Sequence, residues 1–202
     1  MNIEMQKLTP ALAQEYADFF DKTPHNHSGK GVKCYCVTFC KDSVYQGGGS
    51  HWYDTPDERK LHGIKRVENG EIQGYLAYYD DDVIGWCNAN TKSDCQEVMN
   101  FMHSVNKVPL DECKDGEKIK FIFCFVVSPN MQRMGVATKL LDYICQDAAL
   151  EGFDFIEAQA SKDFADDGFR GILSMYEKCG FYVHAERDDK IVVRKALKSI
   201  AG

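Results

Sequence analysis

The chain has 202 residues, 44% of them hydrophobic, with 24 basic and 31 acidic side chains and a formal net charge of −7. That length fits one domain, or one domain carrying an insertion, and is enough to bury a real core. No apolar run reaches the roughly 18 residues of a membrane helix, the nine cysteines are odd in number and match no small disulfide scaffold, and the acidic balance argues against nucleic acid and for a cationic partner or substrate.

The polar start Met1-Asn2-Ile3-Glu4-Met5-Gln6-Lys7 has no basic-then-apolar signal pattern. With cysteines read as thiols in a reducing compartment, a cytoplasmic protein is expected. Ile3 to Lys7 can form a first strand. Thr9 and Pro10 then mark a helix start, as N-cap and first helical residue, and the helix runs to about Phe20 with Leu12, Tyr16, Phe19 and Phe20 on one face. From Asp21 to Asp54 the pattern is irregular. His25, His27, Gly29, Gly31 and Gly47-Gly48-Gly49-Ser50 mark loops around an expected strand from Val32 to Cys40.

Thr55-Pro56-Asp57-Glu58 is a strong helix start, and Asn69-Gly70 a stop. A hairpin follows, Ile72 to Tyr79 and Val83 to Ala89 around the acidic turn Asp80-Asp81-Asp82. A helical segment over Ser93 to His103 and a polar loop then lead to Lys118. From Lys118 to Ser128 the residues are apolar, aromatic and β-branched, which reads as a buried strand ended by Pro129. A helix begins near Gln132 or Met134, and Ala137, Leu140, Leu141, Ile144, Cys145 and Ala148 form its apolar stripe. The first backbone N–H groups of such a helix lack intrahelical partners, and Gly135 lets an anion approach them. Phe153 to Ala158 is the next strand. After the polar loop Ser161 to Gly168 comes a helix from about Arg170 to Lys178, stopped by Cys179-Gly180, and Phe181 to Glu186 with Ile191 to Lys195 close the chain as an antiparallel pair.

This order, together with two motifs, resembles the GNAT superfamily of acyl-CoA N-acyltransferases. Gln132-Arg133-Met134-Gly135-Val136-Ala137 is similar to that family's Gln/Arg-x-x-Gly-x-Gly/Ala loop, and Tyr176-Glu177-Lys178-Cys179-Gly180-Phe181 to its Tyr-x-x-x-Gly-Phe segment. The resemblance covers about 70–195 well and the earlier residues only by topology. It implies an α/β fold, a mixed central sheet flanked by helices and splayed between the strands at 118–128 and 153–159. On this reading 1–202 is one such domain with an irregular cysteine-rich insert at about 21–54.

The resemblance further implies acetyl-CoA as co-substrate. Pyrophosphate would lie on the loop and helix start, Gln132, Arg133, Met134, Gly135, Val136, Ala137 and Thr138, with pantetheine along the backbone of Phe125, Val126 and Val127. Tyr176 is the expected general acid, since a phenol is protonated at neutral pH and can give its proton to a leaving thiolate. Glu157, mid-strand among apolar residues where an unpaired carboxylate is costly, is the first candidate for general base; its alternative is structural pairing with a lysine, arginine or backbone donor. Asp163, Asp166 and Asp167 in the following loop read as solvated, and His51 and His184 lack support. Many members of the family carry an asparagine after this strand; here the sequence is Ala158-Gln159-Ala160-Ser161, with Gln159 or Ser161 as substitutes.

Cys34, Cys36 and Cys40 share one face if 32–40 is extended, and zinc with His25, His27 or His51 can be imagined. Consecutive same-face positions of a strand are a poor source of structural zinc ligands, so no metal is expected and buried packing thiols are favoured. Cys124 reads as inert core rather than an acyl carrier. The expected activity is N-acetyl transfer from acetyl-CoA to a primary amine in a ternary complex. The acceptor is a small molecule or a peptide amine, nucleic acid and membrane are not partners, and a homodimer is left open. The alternatives are a non-catalytic acyl-CoA binding or sensing module and a metal-binding interaction protein.

Overall fold

A computed structural model of the chain describes residues 2–23, 25–27, 30–45, 53–162 and 169–197, with backbone only for 25–27 and 30–32. The elements are β1 (Glu4–Lys7), α1 (Ala13–Lys22), a small hairpin β2 (His25–His27) and β3 (Lys30–Val32), α2 (Pro56–Glu68), β4 (Gly74–Tyr79), β5 (Asp82–Thr91), α3 (Gln96–Ser104), β6 (Ile119–Val127), α4 (Val136–Leu150), β7 (Phe155–Ala160), α5 (Leu173–Lys178), β8 (Tyr182–Arg187) and β9 (Lys190–Ala196). β2 pairs only with β3; the other strands form one sheet in the order β1-β4-β5-β6-β7-β9-β8. Within it only β6 and β7 run parallel, joined by α4, and every other pair is antiparallel.

Local chemistry sets the ends of these elements. The Thr55 hydroxyl accepts from the Glu58 N–H at 3.2 Å while the Glu58 carboxylate accepts from the Thr55 N–H at 3.1 Å, a complete capping box before Pro56. The two-residue turn Asp80-Asp81 has both φ angles positive, which matches the twist of the hairpin it closes. α1 starts differently from expectation: Thr9 is extended but its side chain caps nothing, and a 3-10 turn, Pro10–Leu12, precedes the α-helix.

The sheet is covered on both faces. α4 and α5 pack on one side with Tyr75, Ala77, Ile84, Cys87, Ile122, Phe125, Ile156 and Ala158. On the other side lie α1, α2, the 34–40 turn and α3, against Leu76, Trp86, Phe121, Phe123, Cys124 and Val192. A β-carbon on Gly85 would stand 2.9 Å from Val136 Cγ1, so this glycine is what lets the first turn of α4 seat closely on the sheet.

One irregularity positions the site. Asn88 pairs with Cys124 and Ala89 with Ile122, leaving Phe123 as an extra residue on β6. A bulge of this kind bends its strand. At the same level β6 leaves β7: their last paired residues are Ile122 and Ala158, although β6 continues to Val127 and β7 to Ala160. The sheet therefore opens into a gap there, as expected.

Three expectations are corrected. Val32 to Cys40 is not a strand; after β3 the chain turns, with Tyr35 and Cys36 both in the left-handed region at φ 47° and 44°. The shared face proposed for Cys34, Cys36 and Cys40 falls with it, because it required an extended backbone. Arg133 at φ 62° and Gly135 at φ 83° delay the loop's helix until Val136, and Gly171 at φ 78° delays the last helix until Leu173.

Candidate active site

The end of β6 and the start of α4 are joined by Ser128, the 3-10 turn Pro129–Met131, and an exposed run from Gln132 to Gly135. Arg133 and Gly135 are both left-handed, Gly135 occupies the N-cap position without a side chain to cap the helix, and nothing lies within 4 Å of where its β-carbon would be. Lys139 N–H is the first to close on the helix, donating to the Gly135 carbonyl at 3.0 Å. The N–H groups of Val136, Ala137 and Thr138 are thus the helix's orphan donors, at the positive end of its dipole. Gln132 Nε2 donates to the Val127 carbonyl at 3.3 Å, tying the loop to β6.

Inside the gap the chain lays its own segment. Phe125 N–H donates to the Phe169 carbonyl, the Tyr176 hydroxyl to the Arg170 carbonyl at 2.8 Å, and Ser161 N–H to the Gly171 carbonyl at 2.9 Å. Ile172 forms a parallel bridge with Ser161, whose carbonyl accepts from Leu173 N–H at 2.8 Å. Three successive carbonyls, 169 to 171, thus answer donors from β6, from α5 and from Ser161 just past β7. Since main-chain groups alternate along a strand, Phe125 and Val127 present theirs to the gap and Val126 turns its own toward Trp86 on β5. Of the three residues expected to line the cofactor's arm, Val126 thus gives its main chain to β5, and its side chain is buried in the core with Phe20 and Trp86.

A strand-to-helix loop with orphan N–H groups thus follows β6, and the Tyr176 hydroxyl meets the segment laid in the gap. The sequence model of the Acetyltransferase (GNAT) family matches residues 40–181. The chain belongs to that family. Its fold agrees: a GNAT acetyltransferase from Streptococcus pneumoniae superposes at a TM-score of 0.55 with 15% identity, covering 98% of this chain and 100% of that one. A probable acetyltransferase from Staphylococcus epidermidis gives 0.56 with 12% identity, 98% and 100% covered. The PaiA N-acetyltransferase of Thermoplasma acidophilum, in complex with coenzyme A, gives 0.52 with 14% identity, 97% and 99% covered. No curated protein matches the sequence closely enough to add to this. Membership supports acetyl transfer as the general chemistry of this GNAT acetyltransferase.

Tyr176 is fully buried on the α4 side, its ring centroid 6.4 Å from that of Phe125 and 5.2 Å from that of Phe181. Burial pushes its phenol well above the ordinary value, with nearby thiols adding to the effect, so it is held protonated. Gly171 sits directly over it: a β-carbon there would be 3.3 Å from the hydroxyl and 2.8 Å from Met175 Cε.

Glu157 is on the opposite face, 1% exposed. Its Oε2 accepts from Lys92 Nζ at 2.6 Å and its Oε1 from Arg194 Nε at 2.7 Å, with Arg194 Nη2 closing the same pair. Lys92 Nζ also donates to the Asp111 carbonyl at 2.8 Å. The structure therefore does not bring Glu157 and Tyr176 together, and both oxygens of Glu157 are taken by cations. Sequence reasoning named the structural alternative without its partners, because Lys92 and Arg194 lie 65 and 37 residues away.

His184 Nε2 pairs with Asp111 Oδ2 at 2.7 Å. Cys36 and Cys124 are buried with their sulfurs 3.1 Å apart, Trp86 Nε1 donates to Cys36 Sγ at 3.2 Å, and burial raises both thiols. Among the described residues no group of His, Cys, Asp and Glu is arranged to hold a metal ion, and no helix is long and apolar enough to cross a membrane. The side chains of His25 and His27, and all of His51, Asp163, Asp166 and Asp167, lie outside the described residues.

Proposed function

We propose that this GNAT protein is an N-acetyltransferase that moves an acetyl group from acetyl-CoA to a primary amine by direct attack in a ternary complex. The observation that carries the reading is the pairing of an open, left-handed loop at the start of α4 with a protonated tyrosine at the other end of one gap in the sheet. The residues fit the co-substrate. Val136, Ala137 and Thr138 offer backbone donors to a pyrophosphate, the open space at Gly135 lets it approach, and Arg133 adds a cation. Phe125 and Val127 offer strand-edge groups to the amides of the pantetheine arm, in place of the Phe169 carbonyl.

The amine nitrogen attacks the thioester carbonyl carbon; a tetrahedral intermediate forms, then the C–S bond breaks. Tyr176, released from the Arg170 carbonyl, gives its proton to the departing sulfur and regains one from solvent, which takes up the proton that the attacking nitrogen sheds on becoming the amide. The ion pairs of Glu157 support a structural role for it, so the amine's proton passes to water. The acceptor class has its own support. An open cleft of about 440 Å³ adjoins Ser128, Pro129 and Asn130 and is lined by Glu15, Asp18, Asp81 and Asp82 against one lysine, Lys22, which suits a cationic amine.

One observation favours the second reading, a non-catalytic acyl-CoA binding module: the chain's own 169–171 carbonyls engage both Phe125 N–H and the Tyr176 hydroxyl. Release of free thiol from acetyl-CoA across a panel of primary amines separates the two. Amine-dependent release supports the enzyme; tight CoA binding without release supports the module.

A further inference from the structure

Gln159 stands on β7 one residue past Ala158, the last to pair with β6. The residue is 4% exposed, and Oε1 accepts no hydrogen bond, the one buried side-chain nitrogen or oxygen among the described residues left so. A bare buried carboxamide oxygen works against stability, so its place at the opening of the gap asks for a ligand that donates to it. The pleat puts Gln159 on the face shared with Glu157, away from Ala158 and Ala160, which pack on the α4 side with Tyr176. Across the ladder it meets Val192, and by register its neighbour toward β6 is the bulged Phe123. Two residues earlier on that face Glu157 has both oxygens filled by Lys92 and Arg194. The polar strip of β7 is therefore complete at 157 and incomplete at 159.

We infer that Gln159 Oε1 receives an N–H of the acceptor amine and so orients its lone pair toward the acyl carbon, a role that rests on the proposed N-acetyl transfer. An amide oxygen accepts a hydrogen bond without taking the proton, so it aims the nucleophile and does not act as its base. The two faces divide the work. Tyr176 packs on the α4 side of the sheet and Gln159 stands on the other face of β7, so on this assignment proton donor and nucleophile address the acyl group from opposite sides. An N–H could also come from the pantetheine amides, and the test separates the two sources.

The experiment compares wild type with Gln159→Met, which keeps length and removes the acceptor, and Gln159→Glu, which keeps an oxygen. Thiol release from acetyl-CoA is measured with spermidine, phenethylamine and a short peptide bearing a free α-amine, alongside CoA binding by titration calorimetry and thermal melting. For Gln159→Met the expected results are a loss of roughly tenfold in kcat/KM for the amine, about one hydrogen bond's worth, unchanged CoA affinity and an equal or higher Tm. Gln159→Glu recovers part of the loss. Unchanged amine kinetics in Gln159→Met, or a loss confined to CoA affinity, overturns the inference while leaving the proposed activity standing. Failure of the wild type to turn over any of the three amines overturns the activity itself, and this assignment with it.

Discussion

Replacing Glu157 by glutamine separates a structural carboxylate from a catalytic one. Its side chain is 1% exposed, Lys92 beside it 3% and Arg194 9%, with contacts of 2.6 and 2.7 Å. Neutralising the anion leaves two buried cations facing an amide, and breaking a buried pair by removing one partner costs roughly 3–5 kcal/mol. With a urea m-value of about 1–3 kcal/mol/M, the unfolding midpoint of Glu157→Gln should fall by roughly 1–5 M. Adding Lys92→Met to Glu157→Gln removes one stranded cation and should recover part of that loss, a coupling that a double-mutant cycle in urea reads directly. Activity per folded molecule should hold within a few-fold. A midpoint that barely moves, together with acetyl transfer reduced by orders of magnitude, would refute this account and restore Glu157 as the base.

Three further outcomes follow from the same geometry. Tyr176→Phe should lower kcat by roughly 10²-fold or more with little change in CoA affinity; an unchanged kcat in the thiol-release assay removes Tyr176 as the acid. Gly135→Asp places an anion where open space now faces the orphan N–H groups, in a left-handed position that aspartate tolerates. CoA affinity by calorimetry should drop at least about tenfold while the melting temperature shifts little, since an acid at a helix start is itself favourable. Lys120 is buried, with its pKa pushed down to about 8 by desolvation. Between there and the ordinary lysine value of about 10.4 the unfolded chain holds the proton and the folded one has released it, so stability gains with rising pH through that window. In urea unfolding from pH 7.5 to 10 the wild type should gain relative to Lys120→Met, and parallel curves would show that Lys120 does not titrate there.

Much of the fold could be read locally because its signals are local. Thr55-Pro56-Asp57-Glu58 makes the capping box that its spacing implies, and the apolar stripe from Leu140 to Ala148 is the buried face of α4. The reading failed where distant residues decide. The β-branched and aromatic run from Val32 to Cys40 looked extended, yet its residues bury themselves as a turn: Tyr35 accepts from the Tyr16 hydroxyl, and Arg66 donates to the Val37 carbonyl. α3 is anchored by Asp42, whose carboxylate accepts from the N–H groups of Gln96 at 2.9 Å and Glu97 at 2.8 Å, a cap supplied from more than fifty residues away.

The site divides in the same way. The loop 132–138 and Tyr176 are named by short motifs, because the roles proposed for them, phosphate cradle and proton donor, each need a particular local arrangement. The partners of Glu157, the carbonyls of 169–171 in the gap and the bare oxygen of Gln159 are products of strand register, which no spacing in the sequence encodes. Only the departure from asparagine at Gln159 and Ser161 hinted that this side of the gap was built differently.

Amide hydrogen exchange with and without coenzyme A tests the central claim most directly. The account predicts slowed exchange at Val136, Ala137 and Thr138, with altered exchange at Phe125, Val127 and Ser161 as the 169–171 carbonyls give up their donors. Unchanged exchange at both places, or protection found only elsewhere in the chain, would contradict it.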